Sequence, residues 1–167
     1  LEVGLNCIPP MASPETLKQF VCSGPGIPLE PHKWFERTVY ARKAERTEYE
    51  VKIYDKGRQY GRPGRLLRFE VKFTKAIQLQ RLGIFTMNDL LNPDAWHRLR
   101  VRVMAIYDEL FIAEPSIDLP SLTESQRTFV ALVRTPDYWQ DLTKGARFKA
   151  HARYAAIVER FAASNLK

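Results

Sequence analysis

VKIYDKGRQYGRPGRLLRFEVKF, residues 51–73, carries two alternating runs on either side of a glycine-rich turn. With the residues just before it, the first run sets Tyr49, Val51 and Ile53 against Glu50, Lys52 and Tyr54. The second sets Leu67, Phe69, Val71 and Phe73 against Arg68, Glu70 and Lys72. Successive side chains of a strand leave the backbone on opposite sides, so a period of two marks a half-buried strand. The pattern predicts strands over 36–43, 47–55 and 66–73, with a turn near Glu45 and a loop at Gly57, Gly61, Pro63 and Gly64. LEVGLN, residues 1–6, alternates in the same way and predicts a further strand.

Outside these runs the signals are helical. Ser13-Pro14 predicts a helix start, with Ser13 as N-cap and Gly24 as the stop. Residues 24–31 hold three prolines and two glycines and read as loop. A short helix over 75–82 closes at Gly83, and Thr86 caps another. Asn92-Pro93-Asp94 starts a helix expected to bury Trp96, Leu99, Val103, Ile106 and Leu110 and to run to about Ile112. Helices follow over 123–134, 137–142 and 146–162. Strands first and helices afterwards give an α+β fold: a mainly antiparallel sheet, helices packed on one face, and a helical C-terminal third. The expected division is 1–115 for the sheet domain and 116–167 for a helical extension packed on the same core.

The chain has 167 residues, 45% of them apolar, so it can bury a core. No apolar run reaches the roughly 18–20 residues of a membrane helix, and a soluble, cytoplasmic protein without membrane contact is expected. Cys7 and Cys22 cannot form a disulfide framework and lack zinc-site spacing. The net charge of +7 suits a polyanionic partner. It is concentrated: residues 37–81 hold thirteen Lys or Arg against five Asp or Glu, a balance of +8. Nucleic acid is the partner this favours, with an incidental basic surface as the plain alternative.

If the strands share a sheet, Glu2, Asn6, Glu50, Lys52, Tyr54, Arg68, Glu70 and Lys72 share its polar face. Such a face could position a phosphodiester, with cations on phosphate, a carboxylate on a divalent metal and a tyrosine attacking phosphorus. A solvated face of cross-strand ion pairs has the same pattern. Lys52, Lys56, Arg58, Arg68, Lys72, Arg42 and Lys43 are the expected nucleic-acid contacts. Trp34, Tyr40 and Tyr60 lie among basic residues and are candidates to stack on unpaired bases, or to pack beneath the hairpin.

The ordered pair VKIYDKGRQY (51–60) and LLRFEVKF (66–73) resembles replication initiation proteins of small phages and plasmids. LEVGLN, LGIFTMNDLL (82–91) and TPDYWQDL (135–142) are similar to related proteins of mobile elements. The resemblance implies rolling-circle initiation, in which a hairpin or single-stranded DNA origin is nicked through a tyrosine with a divalent metal, Mg²⁺ or Mn²⁺. Position for position, it makes Tyr54 the tyrosine, Lys56 a phosphate contact and Glu70 a carboxylate on the metal side. The His-hydrophobic-His pair of many such enzymes is missing. His32, His97 and His151 are isolated in sequence, the last two on helices and expected at the surface. The first residue is Leu1, so ligands could lie upstream; a carboxylate-only site or lost catalysis are the alternatives.

No Walker loop, G-x-G-x-x-G, G-x-S-x-G or H-E-x-x-H occurs. Trp96, Trp139, Tyr138 and Phe148 read as packing residues. Residues 123–153 have the outline of a helix-turn-helix, whose last helix would bring Lys144, Arg147, Lys149, His151 and Arg153 toward DNA. Two non-catalytic roles compete with nicking: a nucleic-acid-binding module, and an assembly protein whose basic patch binds an acidic protein.

Overall fold

The computed structural model describes residues 1–33, 39–62 and 64–163. The expected α+β architecture is present. β1 (Glu2–Cys7), β7 (Leu67–Phe73), β6 (Tyr49–Asp55), β5 (Val39–Glu45) and β4 (Glu30–Lys33) form, in that order, a five-stranded antiparallel sheet. Residues 36–38 of the first expected hairpin strand lie outside the described residues.

The pleat works as the alternation requires. Tyr49, Val51, Ile53, Leu67, Phe69, Val71 and Phe73 are all buried on one face. Against them packs α4 (Pro93–Asp108), through Ala95, Leu99, Val103 and Ile106, at the three-to-four spacing of a helix stripe. Asn92 caps it by accepting the Asp94 N–H at 2.9 Å. α1 (Ser13–Leu17) adds Leu17 to the same core.

Two apolar runs expected in helices are strands. β2 (Phe20–Ser23) lies where α1 was expected to continue to Gly24, and β8 (Leu110–Ile112) where α4 was expected to run on. They pair with each other, and β2 pairs on its other side with β3 (Ile27–Pro28), inside the stretch expected as loop, in a three-stranded antiparallel sheet. Leu110, which was expected on α4, is buried from β8. Trp96, also expected inside, is 48% exposed, with its indole N–H donating to the Leu90 carbonyl at 2.7 Å.

The small sheet is a partition. Phe20, Leu110 and Ile112 belong to the sheet core, whereas Val21, Cys22, Phe111 and Ala113 belong to a second cluster with the C-terminal helices. Those helices are α5 (Glu124–Val133), α6 (Pro136–Gln140) and α7 (Lys144–Phe161). Trp139 is fully buried in this cluster, its indole N–H donating to the Val133 carbonyl at 2.7 Å. α7 packs through Ala150, Tyr154 and Ile157 and leaves Lys144, Lys149 and Arg153 of the helix-turn-helix outline exposed. His151, expected at the surface, lies with its ring centroid 4.5 Å from that of Trp139, and Arg153 lies 4.2 Å over the Phe129 ring. Phe148, expected to pack, is 76% exposed.

The two thiols report on this arrangement. Cys22 is buried within β2, and burial pushes its thiol up to about 12, while Cys7 is exposed at the end of β1. A thiol reagent at pH 8 should label Cys7 promptly and reach Cys22 only in denaturant. Equal labelling rates in the native protein would rule out the β2–β8 pairing.

Candidate functional site

The polar face of the large sheet is built by register. Tyr54 stands opposite Arg68, Lys52 opposite Glu70 and Glu50 opposite Lys72 across β6 and β7. Across β7 and β1, Lys72 meets Glu2, Glu70 meets Gly4 and Arg68 meets Asn6. The expected juxtaposition of Tyr54, Glu70, Lys52, Arg68 and Lys72 is therefore present.

Its centre is a tight polar knot. The Glu70 carboxylate is 6% exposed, and its Oε1 accepts the Tyr54 hydroxyl at 2.8 Å and Arg68 Nε at 2.6 Å. Burial pushes the Glu70 carboxyl up, but hydrogen bonds from Tyr54, Glu2 and Arg68, with the Arg68 charge, outweigh it and hold the group below its ordinary value. The hydrogen bond to Glu70, burial and the Glu70 charge raise Glu2 instead. Glu70 Oε2 is buried and takes no hydrogen bond from a fixed donor.

Tyr54 is 4% exposed, and burial, its bond to Glu70 and the Glu70 charge all raise its pKa. Its proton is thus held where a nucleophile would have to release it. The metal expectation meets a similar obstacle. Among the described residues no three His, Cys, Asp or Glu side chains come together, and the Glu2–Glu70 pair stands among Arg68, Lys52 and Lys72. A divalent ion there would face three cations, so the residues present do not fit one.

Gly4 leaves open the space beside the knot that Arg68 fills. A Cβ at Gly4 would lie 2.5–2.7 Å from the Arg68 guanidinium, which occupies that space above β1.

The expected cations do not act as one surface. Lys43 is tied to Glu45 at 2.7 Å and Glu50 at 3.0 Å. Arg42 points to the opposite face, where it shares the side of Ile53 and donates to the carbonyls of Leu17 at 3.1 Å and Leu29 at 3.2 Å. The register places Lys43, Lys52, Arg68 and Lys72 on the polar face with Glu2, Glu30, Glu45, Glu50 and Glu70, four cations against five acids. The sheet face is balanced, as a face of cross-strand ion pairs would be.

Unbalanced charge lies instead at one end of the sheet. Residues 56–66 carry Lys56, Arg58, Arg62 and Arg65 and no acid. This segment, expected as open loop, begins with a helical turn, α2 (Lys56–Gln59), capped by Asp55, whose Oδ1 accepts the Arg58 N–H at 2.9 Å. Lys56 N–H donates to the Leu66 carbonyl at 2.9 Å and Arg62 N–H to the Gly57 carbonyl at 2.8 Å, closing the segment on itself. Ser13, expected as the N-cap of α1, is its first residue, with Ala12 at the cap; the Ser13 hydroxyl donates to the Gly64 carbonyl at 2.9 Å and accepts the Leu66 N–H at 3.1 Å. Lys56 Nζ lies 5.5 Å from the Tyr54 ring centroid and 4.5 Å from that of Tyr60, and donates to Gln59 Oε1 at 2.6 Å. Lys56 thus connects the polar knot to the basic loop. Arg62 and Arg65 were not among the expected contacts, although the absence of acids around them was visible in the sequence. Trp34 lies outside the described residues.

No protein-family model, curated protein or solved structure matches this chain.

The steric argument at Gly4 has a direct test by a double-mutant cycle. Gly4→Ala should cost about 1–2 kcal/mol in denaturant unfolding, within the range for directly coupled neighbours. In an Arg68→Ala background the same change should cost less than about 0.5 kcal/mol, as at an ordinary surface site. Equal costs in both backgrounds would mean that Arg68 is not what occupies the space.

Proposed function

We propose that this chain is the DNA-binding part of a replication-initiator-like protein of a mobile element, and that it grips DNA with the basic loop 56–66. The observation that carries this reading is the loop itself: four cations and no acid, clasped by main-chain bonds, at the end of a sheet whose own charges balance. Phosphates favour such a place. The segment contributes no carboxylate of its own to compete with phosphate, and the main-chain bonds of Lys56, Gly57 and Arg62 lower the cost of ordering on binding. The resemblance of residues 51–60 and 66–73 to replication initiators supports DNA as the polyanion.

Binding is favoured over cutting by the state of Tyr54. A tyrosine that attacks phosphorus must be reachable and must lose its proton, and Tyr54 is buried with its hydroxyl donating to Glu70. In this reading Tyr54, Glu70 and Arg68 brace the end of the sheet from which the loop projects.

Fluorescence anisotropy with a single-stranded oligonucleotide at 50–200 mM salt, an interval over which phosphate contacts change affinity steeply, tests the proposal. Lys56 is buried against Tyr54 and Tyr60; if Arg58, Arg62 and Arg65 each neutralise one phosphate, log affinity should fall against log salt with a slope of about −2. The pair Arg62→Glu and Arg65→Glu should weaken binding by about tenfold or more and flatten that slope, whereas Lys43→Ala, at an ion-paired site, should change neither. A covalent protein–DNA adduct formed with Mg²⁺ or Mn²⁺ and lost in Tyr54→Phe would replace binding with nicking. No affinity at the lowest salt would leave an assembly role.

A further inference from the structure

Tyr60 is 65% exposed, large and aromatic, in the middle of the basic loop. It stands at the end of α2, and Gly61 then turns the chain back with φ +67°, a conformation open to glycine and rarely adopted by other residues. One side of its ring faces the ammonium of Lys56, 4.5 Å from the centroid. Beside the ring is a pocket of about 450 Å³ lined by Gly57, Tyr60, Arg62 and Leu66, mainly with apolar atoms. Gly57 lets the returning chain pass close by, since a Cβ there would lie 2.5 Å from the Arg62 carbonyl oxygen. The loop therefore offers a flat aromatic surface, an adjacent apolar recess and four surrounding cations, on a backbone fixed by its bonds to Leu66 and Ser13.

We infer that this pocket takes an unpaired nucleobase, stacked on Tyr60, so that the loop selects single-stranded over duplex DNA. The inference rests on the DNA-binding reading and deepens it. Charge complementarity names a polyanion as the occupant, and the apolar recess against an aromatic ring fits the face of a base rather than a phosphate. In a duplex the base faces are already stacked on their neighbours, so only phosphates could meet the loop. An unpaired base can turn into the recess while the phosphates on either side meet Arg58, Arg62 and Arg65. Lys56 Nζ, close to the rings of both Tyr54 and Tyr60, adds a cation–π contact to Tyr60.

Three probes of equal length separate stacking from charge: a single-stranded oligothymidylate, an oligonucleotide of abasic sites, and a duplex. Wild-type protein should bind the oligothymidylate at least about tenfold more tightly than the abasic strand, the order expected for one base on one aromatic ring. Tyr60→Ala should remove that preference and leave abasic and duplex binding unchanged; Tyr60→Phe should keep it. Tyr60 is exposed, so both variants should fold, which circular dichroism checks. Equal wild-type affinity for all three probes, or a Tyr60→Ala loss that is the same for all three, would overturn the stacking inference while leaving phosphate binding by the loop intact. Absence of binding to any probe at low salt would overturn both readings.

Discussion

Glu70 is a carboxylate buried in the middle of a sheet, and its neutralisation organises what surrounds it. A buried charge left alone costs several kcal/mol, so the fold must supply partners in fixed places. Arg68, two residues earlier on the same strand, reaches back to it, and Tyr54 donates from the next strand. Both depend on the β6–β7 register, in which Tyr54 faces Arg68 and Lys52 faces Glu70. A slip of one residue would send Glu70 into the apolar core and bring Phe69 and Val71 out. On the other flank the β1–β7 register sets Gly4 beside Glu70 and leaves room for the guanidinium. Alternation, ion pairing and a missing side chain thus agree on one alignment of three strands.

That agreement separates structural charge from available charge. Counted along the chain, residues 37–81 are strongly basic. Placed in the sheet, much of that charge is taken up: Arg68 by Glu70, Lys43 by Glu45 and Glu50, and Arg42 by main-chain carbonyls on the reverse face. The surplus collects where the chain leaves β6 and returns to β7. An otherwise balanced sheet thereby acquires a polarity, with a cationic loop at the end where Tyr54 and Arg68 stand.

The three strands over 1–6, 47–55 and 66–73 could be read from the sequence because each sets apolar side chains on one face and mainly polar ones on the other, which imposes a period of two. β2 and β8 escaped that reading. All of Phe20, Val21, Cys22 and Ser23 are buried, as are Leu110, Phe111 and Ile112, so neither segment alternates, and periodicity cannot separate such runs from a buried helix turn. Pro28 and Pro31 marked a loop, yet both stand in strands at sheet edges, where a missing N–H is tolerated. In the candidate site, parity brought Tyr54, Glu70, Lys52, Arg68 and Lys72 together, whereas the basic segment as a whole put Arg42 among the contacts although it leaves from the opposite face. A count of charge does not see which face a residue leaves from. Gly4 was legible only as an even position in a strand; its role is the space it leaves for Arg68, which depends on a partner sixty-four residues away.

The partition formed by β2 and β8 binds the two clusters into one thermodynamic unit. Along β8 and into Ala113, successive side chains enter opposite clusters: Leu110 and Ile112 the one, Phe111 and Ala113 the other. Melting either cluster would strip one side of this wall and leave strands with apolar groups facing water. Each cluster therefore holds up the surface against which the other is packed, and local opening on one side draws in the far side. Such a chain is expected to unfold in a single thermal or denaturant transition in place of two.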